Sequence, residues 1–455
     1  MRSINMLTLL LIVFIIGVNT SDNIGEYSSL WHYKCKGGLC KKELITKDVT
    51  EPISLEVCEL FCGASSSLWP KPTGHLSLSK NMVQLNPDKI LLGDVQTGTQ
   101  IEYLLERNIF LLRNTVKNIG GKLANGGGVG MLIQCKGYLE DNDIKLTLHT
   151  DESYNLTVTQ TDKTIGNDTV VCFKAESWRN YCVEPPCGQL NPTNEKVYEI
   201  LEGIYKDMIR DFQPDLFHMG GDEVNINCWN SSAVIRNWMQ TVKNWDLSES
   251  SFYMLWDYFQ EKAMDKLKIA NDGKEIPIIL WTSGLTNEQN IKYLDPKKYI
   301  IQVWTTKDDL SIGRLLRNNF KLIISNYDAL YLDCGFSAWV GEGNNWCSPY
   351  KGWQIVYDNS PLKMIKLQHL ENKKHLILGG ETALWTEQAD SASTDTKIWP
   401  RSAAFAERLW AEPNSTWIHA EYRMLRHRER FIKRGISAET LQPEWCLRNQ
   451  GHCYA

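Results

Sequence analysis

Asp222 and Glu223 stand side by side after two glycines, in the run Phe217-His218-Met219-Gly220-Gly221-Asp222-Glu223-Val224. Two carboxyl groups at one place can divide acid–base work on a single bond between them. The short, mostly apolar run from Pro214 to Phe217 reads as a strand, and the glycine pair lets the backbone turn where a side chain would clash. The acids then stand at the carboxyl end of a strand, where α/β barrels carry their chemistry. Neighbouring strand residues leave on opposite sides, so the two acids can take different roles on one substrate. A glycine turn followed by an acidic helix start is the structural alternative, and these eight residues alone do not separate the two.

The elements that must position this pair follow from the pattern downstream of Pro185. Asn194 to Asp211 reads as a helix. Five short apolar strands follow, at Asp215–His218, Pro277–Trp281, Tyr299–Trp304, Lys321–Ser325 and His375–Leu378. Helical stretches such as Ser250 to Leu267 and Ile312 to Asn318 lie between most of them. Alternation of helices with buried apolar strands implies a parallel sheet, in a barrel or a doubly wound fold. Upstream, residues from about 22 to 172 form a separate unit. Ile101 to Lys117 has helical spacing there, and Met131–Cys135, Ile144–His149 and Tyr154–Thr159 alternate like antiparallel strands, which suggests a small α+β domain. Its glycine-rich stretch lacks the Lys-Ser/Thr of a phosphate loop.

The strand ends carry a second signal. They read Leu280-Trp281-Thr282, Gln302-Val303-Trp304, Asn326-Tyr327 followed by Tyr331-Leu332-Asp333, and Gly379-Gly380-Glu381 followed by Trp385-Thr386-Glu387. One such tryptophan is more often core than ligand platform. Several at equivalent positions, next to an acid pair, point to a carbohydrate pocket. Two carboxyl groups with aromatic platforms suit cleavage of a glycosidic bond. Adjacent residues are poorly placed to flank that bond as acid and nucleophile, which favours attack by a 2-acetamido group of the sugar itself.

Composition narrows the class further. The chain has 455 residues, a net charge of −5 and 43% hydrophobic residues, a balance that gives no hint of nucleic acid. Arg2 and the apolar run Leu9 to Val18, with Asn19-Thr20-Ser21 after it, read as a signal peptide spanning residues 1–20. No later segment is long enough to span a membrane. Thirteen cysteines agree with secretion, and short spacings suggest the pairs Cys35–Cys40, Cys58–Cys62, Cys182–Cys187, Cys334–Cys347 and Cys446–Cys453. The odd count leaves one without a partner. Asn155, Asn167, Asn230 and Asn414 head glycosylation sequons. No Cys/His set has zinc-ligand spacing, so neither a metal nor another cofactor is implied.

The chain resembles the family 20 glycoside hydrolases, the β-N-acetylhexosaminidases, and within them the insect chitooligosaccharide-degrading branch. His218-Met-Gly-Gly-Asp-Glu-Val matches that family's signature. Leu280-Trp281, Val303-Trp304, Tyr331-Leu332-Asp333, Gly379 to Glu387 and Trp399 to Trp410 match further, and Gly343 to Trp353 resembles the arthropod branch. The resemblance implies a small N-terminal α+β domain over residues 21–172 and a (β/α)8 TIM-barrel catalytic domain over 173–455. It implies that Glu223 is the general acid and then the base. Asp222 would hold the acetamido N–H, and Tyr331 would bond the acetamido oxygen. Trp281, Trp304 and Trp385 would wall the pocket, Asp333 and Glu387 would bind sugar hydroxyls, and Trp353 would stack on the next sugar. His218 would support the acid pair from behind, with core packing as the alternative. The implied substrate is an oligosaccharide ending in GlcNAc or GalNAc, and homodimers occur in the family.

One departure matters. Only the last five barrel strands are recognisable, because almost nothing separates the strand near Thr159 from Cys172-Phe-Lys-Ala-Glu. Three βα units correspond to about 100 residues. No arginine lies between Arg113 and Arg179 to match the one with which the family grips the sugar. The expectation is therefore an incomplete barrel. A truncated, catalytically inactive sugar-binding remnant, or a non-functional partial product, stands as the alternative to an active enzyme.

Overall fold

A computed structural model describes residues 31–46, several positions between 49 and 62, 85–92, 109, 110, 113, 129–133, 169–449, 452 and 453. The signal peptide and the strands read at 144–149 and 154–159 lie outside the described residues, as do Asn155 and Asn167. So does most of the helix read at 101–117. Two compact units are present: residues 1–69 with 418–455, and residues 70–417.

In the first unit, β1 (Trp31–Lys36) and β2 (Leu39–Leu44) form an antiparallel hairpin in which Cys35 faces Cys40 across the strands. The disulfides are Cys35–Cys62 and Cys40–Cys58, not the nearest-neighbour pairs that the spacing suggests. The reason is local. The Cys62 N–H donates to the Cys58 carbonyl at 2.8 Å, so these two cysteines are one helical turn apart and share a face. Two cysteines on one face of a turn can reach the hairpin together, and the bridges run side by side into a small core with Leu55. Glu59, 3% exposed, receives the Arg426 guanidinium from the helix Trp417–Lys433. Cys446–Cys453 forms as the spacing suggests.

The second unit contains β3 (Leu85–Leu92), which the alternation pattern does not pick out. It pairs with β4 (Val129–Ile133) in parallel, and β4 falls on the strand read at Met131–Cys135. A short antiparallel pair, β5 (Val170–Val171) and β6 (Gln189–Leu190), leads into the main sheet. Among the described residues that sheet has five strands: β7 (Phe217–His218), β8 (Ile278–Trp281), β9 (Tyr299–Val303), β10 (Lys321–Ile324) and β11 (Ile377–Gly380). They pair in sequence order, all parallel. Every residue of β8 and of β9 is buried, as a strand covered on both faces requires.

Helices form where caps and apolar spacing agree. Asn194, Ser248 and Asp309 accept backbone N–H bonds at the starts of Glu195–Phe212, Glu249–Ala270 and Leu310–Arg317. In the last of these, Ile312, Leu315 and Leu316 point inward at helical spacing. The strand read as beginning at His375 begins at Ile377 instead, because residues 371–376 form a 3₁₀ turn. Gly380 lets β11 close on β10: a Cβ there would meet the Ile324 carbonyl at 2.7 Å and Phe405 Cζ at 2.5 Å. Cys172–Cys228, which spacing alone does not suggest, ties the segment after β5 to the helix Ile226–Ser231. The twelve bridged cysteines leave Cys135, which lies outside the described residues. No helix among the described residues is long and apolar enough to cross a membrane.

Ile301 lies in the middle strand, 0% exposed. Ile301→Ala is expected to lower the unfolding free energy by about 2–5 kcal/mol, read as a fall in the urea midpoint at unchanged slope.

Candidate active site

The acid pair is placed by the turn that leaves β7. Met219 N–H donates to the Ile279 carbonyl at 2.9 Å, which extends the β7–β8 pairing by one residue. Gly220 and Gly221 then adopt φ of +66° and +79°, in the left-handed region that favours glycine. A Cβ on Gly221 would meet Gln260 Nε2 at 3.2 Å. The chain leaves the turn with Asp222 half-buried and Glu223 at the exposed rim.

Aromatic rings continue from this point around the strand ends. The His218 ring lies 5.0 Å from Trp281, Trp281 lies 5.9 Å from Trp385, and Trp385 lies 6.0 Å from Tyr331. Tyr331 lies 6.2 Å from Trp346, and Trp346 lies 6.1 Å from Trp304. These residues come from β7, from the ends of β8 and β9, from segments beyond β10 and β11, and from one loop. Trp304 is pinned by its indole N–H, which donates to the Thr282 carbonyl at 2.6 Å.

Trp346 has no role in the reading of the sequence. It is 60% exposed, and it stands in the loop closed by Cys334–Cys347, against Trp304, Tyr327 and Tyr331. The cysteine spacing announces that loop, but nothing in the sequence says where its tryptophan points. Trp353 requires the opposite correction. It is 4% exposed, with its ring against Tyr357 at 6.2 Å and Trp417 at 5.9 Å, so no face is free to stack on a sugar. It begins a short helix, Trp353–Asp358, whose inward side it joins.

Tyr331, Leu332 and Asp333 are held by Arg401, a fully buried residue of the helix Arg401–Ala411. Its guanidinium donates to the carbonyls of Leu332 at 2.7 Å and Lys351 at 3.2 Å, and also to that of Lys397. Asn345 adds a bond to the Asp333 carbonyl at 2.7 Å. Asp333 Oδ1 accepts from the Trp385 N–H at 3.4 Å, which ties the end of β10 to the segment after β11. Glu387 lies exposed beside it.

The electrostatics of this cluster favour protonated carboxyl groups. Glu223 is pushed up to about 7, first by lost hydration and then by the negative charges of Asp222, Glu184 and Glu387. Desolvation also raises Asp222, against backbone N–H groups that favour its ionised form. Asp333 is raised by desolvation and by Glu387. The Tyr331 hydroxyl is held well above its usual range by burial and the nearby carboxylates, so it remains a proton donor. Glu184, another residue the sequence did not single out, comes from the loop closed by Cys182–Cys187. Trp339 donates to its Oε1 at 3.3 Å.

The acid pair also borders a cavity of about 460 Å³, lined on its other sides by residues 181–184 and 186–190, Tyr205 and Phe259. Among the described residues, the two close clusters of metal-type side chains are Cys40, Cys58 and Cys62, and Asp333, Cys334 and Cys347. Their cysteines are all in disulfides, which removes the thiolates a metal would need. A rim acid near neutrality beside a second carboxyl, with aromatic walls, can protonate a leaving oxygen and orient a polar substituent.

The model of the glycosyl hydrolase family 20 catalytic domain matches residues 155–413, more than half of the chain. The chain is 59% identical over 290 residues to a chitooligosaccharidolytic β-N-acetylglucosaminidase of Ostrinia furnacalis, covering 63% of this chain and 48% of that protein. It is 58% identical over 287 residues to the Bombyx mori protein of the same name, covering 62% and 47%. The chain thus spans about half the length of these curated relatives. A solved family 20 exo-β-N-acetylglucosaminidase of Vibrio harveyi, in complex with N-acetylglucosamine, aligns with a TM-score of 0.45 at 20% identity, over 58% of this chain and 41% of that one.

Gly221→Ala is expected to cost about 1–2 kcal/mol through its left-handed backbone, and more if Gln260 cannot yield. A thermal melt of the variant beside the unsubstituted chain measures it.

Proposed function

We propose that this chain, which belongs to glycosyl hydrolase family 20, hydrolyses terminal non-reducing N-acetyl-D-hexosamine residues from β-N-acetylhexosaminides. The observation that carries this reading is the placement of Asp222 and the rim residue Glu223 on the glycine turn after His218, at the head of a continuous aromatic belt, and the loss of hydration that pushes Glu223 up to about 7 agrees with it. Glu223, protonated, donates to the leaving glycosidic oxygen. The acetamido oxygen of the substrate attacks the anomeric carbon and forms an oxazolinium ion. Asp222 accepts the acetamido N–H and steadies the positive charge, and the Tyr331 hydroxyl donates to the acetamido oxygen. Glu223, now a carboxylate, takes a proton from water as the water opens the ring. Two inversions at the anomeric carbon give net retention. Trp281, Trp304 and Trp385 enclose the acetamido methyl, and Asp333 and Glu387 accept from sugar hydroxyls. The names of the insect relatives support chitooligosaccharides as the substrate class. Secretion agrees with the disulfides and with the signal-like amino terminus.

In this reading residues 21–172 form the N-terminal α+β domain and 173–455 an incomplete (β/α)8 barrel. Among the described residues, β7 and β11 each have one strand neighbour where a closed barrel gives every strand two. The alternative reading is a chain that binds sugar through the belt without turning it over.

Release of chromophore from an aryl N-acetylglucosaminide decides between the two. Glu223→Gln is expected to lower kcat by about 10²–10⁴-fold. Chitobiose binding with no Glu223-dependent release selects the second reading. The pH profile has a definite sign. Activity is lost as pH rises through about 7, because Glu223 must carry a proton to act as the acid. It is lost again as pH falls through the raised value of Asp222, which must be ionised.

A further inference from the structure

Four hydrogen bonds run in series beneath the acid pair. The Gly220 N–H donates to His218 Nδ1 at 2.9 Å, and His218 Nε2 lies 3.1 Å from Gln302 Oε1. Gln302 Nε2 donates to Ser325 Oγ at 2.8 Å, and the Ser325 hydroxyl donates to the Glu381 carbonyl at 3.1 Å. The series crosses from β7 to β9 and β10 and ends just past β11. Gln302 is 1% exposed and Ser325 0% exposed, so neither can exchange its partner for water.

The two ends determine every donor between them. A backbone N–H can only donate, so His218 Nδ1 carries no proton, and the neutral ring must hold its proton on Nε2. That proton requires an acceptor, which turns the Gln302 oxygen toward the histidine and its NH₂ toward Ser325. A backbone carbonyl can only accept, so the Ser325 hydroxyl points to Glu381. Reversing the Gln302 amide would set two donors against each other at the histidine. His218 is exposed at the end of β7, yet neighbouring groups strip enough hydration from the ring to hold it below its ordinary range, in keeping with a neutral ring. The carbonyl side of Gly220 is held as well, by the Trp281 N–H at 3.1 Å.

We propose that Gln302 and Ser325 are positioning residues that act through His218 to hold the Gly220 turn, and with it Asp222 and Glu223. They touch no substrate. This rests on the hydrolase reading for its catalytic consequence, but the hydrogen-bond series can be observed without turnover.

The test begins with the unsubstituted chain labelled with ¹⁵N-histidine, in which the His218 signals among the nine histidines are assigned by their loss in His218→Asn. Long-range ¹H–¹⁵N spectra at neutral pH are expected to show one neutral tautomer for His218, protonated on Nε2. Ser325→Ala, a small change, and Gln302→Leu are expected to move the His218 ¹⁵N shifts away from that signature, as the acceptor at Nε2 is displaced or lost and the Gly220 N–H bond to Nδ1 lengthens. They are also expected to lower kcat by about five- to tenfold, with KM changed less than about twofold, because a displaced acid weakens the transition state more than binding. An Nδ1-protonated or mixed His218 in the unsubstituted chain overturns the proposal, as does a signature unchanged in both variants. If the chain shows no turnover at all, the spectra still decide, and it is then the hydrolase reading that fails.

Discussion

Parallel pairing is the constraint on which the rest of this structure depends. Because β7 to β11 run in one direction and pair in sequence order, every residue that follows a strand emerges on the same side of the sheet. Trp281, Trp304, the Tyr331–Asp333 turn and Trp385 are far apart along the chain, and each reaches the acid pair because its strand ends there. An antiparallel sheet would send alternate carboxyl ends to opposite ends of the sheet and divide the same residues between them. The cost of parallel pairing is burial on both faces, which β8 and β9 meet with apolar side chains alone except for Gln302.

The site built on that sheet is electrostatically unfavourable to itself. Lost hydration acts on Glu223 first, and the like charges of Asp222, Glu184 and Glu387 add to it. The surrounding structure is rigid where the site is repulsive. Arg401 donates to the carbonyls of Leu332 and Lys351 and so fixes the turn that carries Tyr331 and Asp333. Disulfides close the loops that bring Glu184 and Trp346. A site that must keep one carboxyl protonated near neutrality needs its negative neighbours held close.

Much of this was legible in the residues. The five strands were found within a few positions, since short apolar runs between helical stretches are a strong signal, and the acid pair was placed correctly after β7. The misses share a cause. Trp353 and Trp346 are both tryptophans of one short segment, and the sequence does not say which enters the core and which faces the pocket. The Cys35–Cys62 and Cys40–Cys58 bridges depend on a helical turn meeting a hairpin, which spacing along the chain does not report.

By itself the sequence determined the kinds of group available: carboxyl pairs, aromatic strand ends, glycines where the backbone must turn, and enough cysteine for covalent closure. Those depend on residue type and on spacing within a few positions. Only the tertiary structure decided which groups meet. Glu184 acts on Glu223 from 39 residues away, and Gln302 bonds His218 across a separation of 84. Neither pairing has a local signature, because hydration loss, like-charge repulsion and hydrogen-bond direction depend on distance in space rather than on distance along the chain.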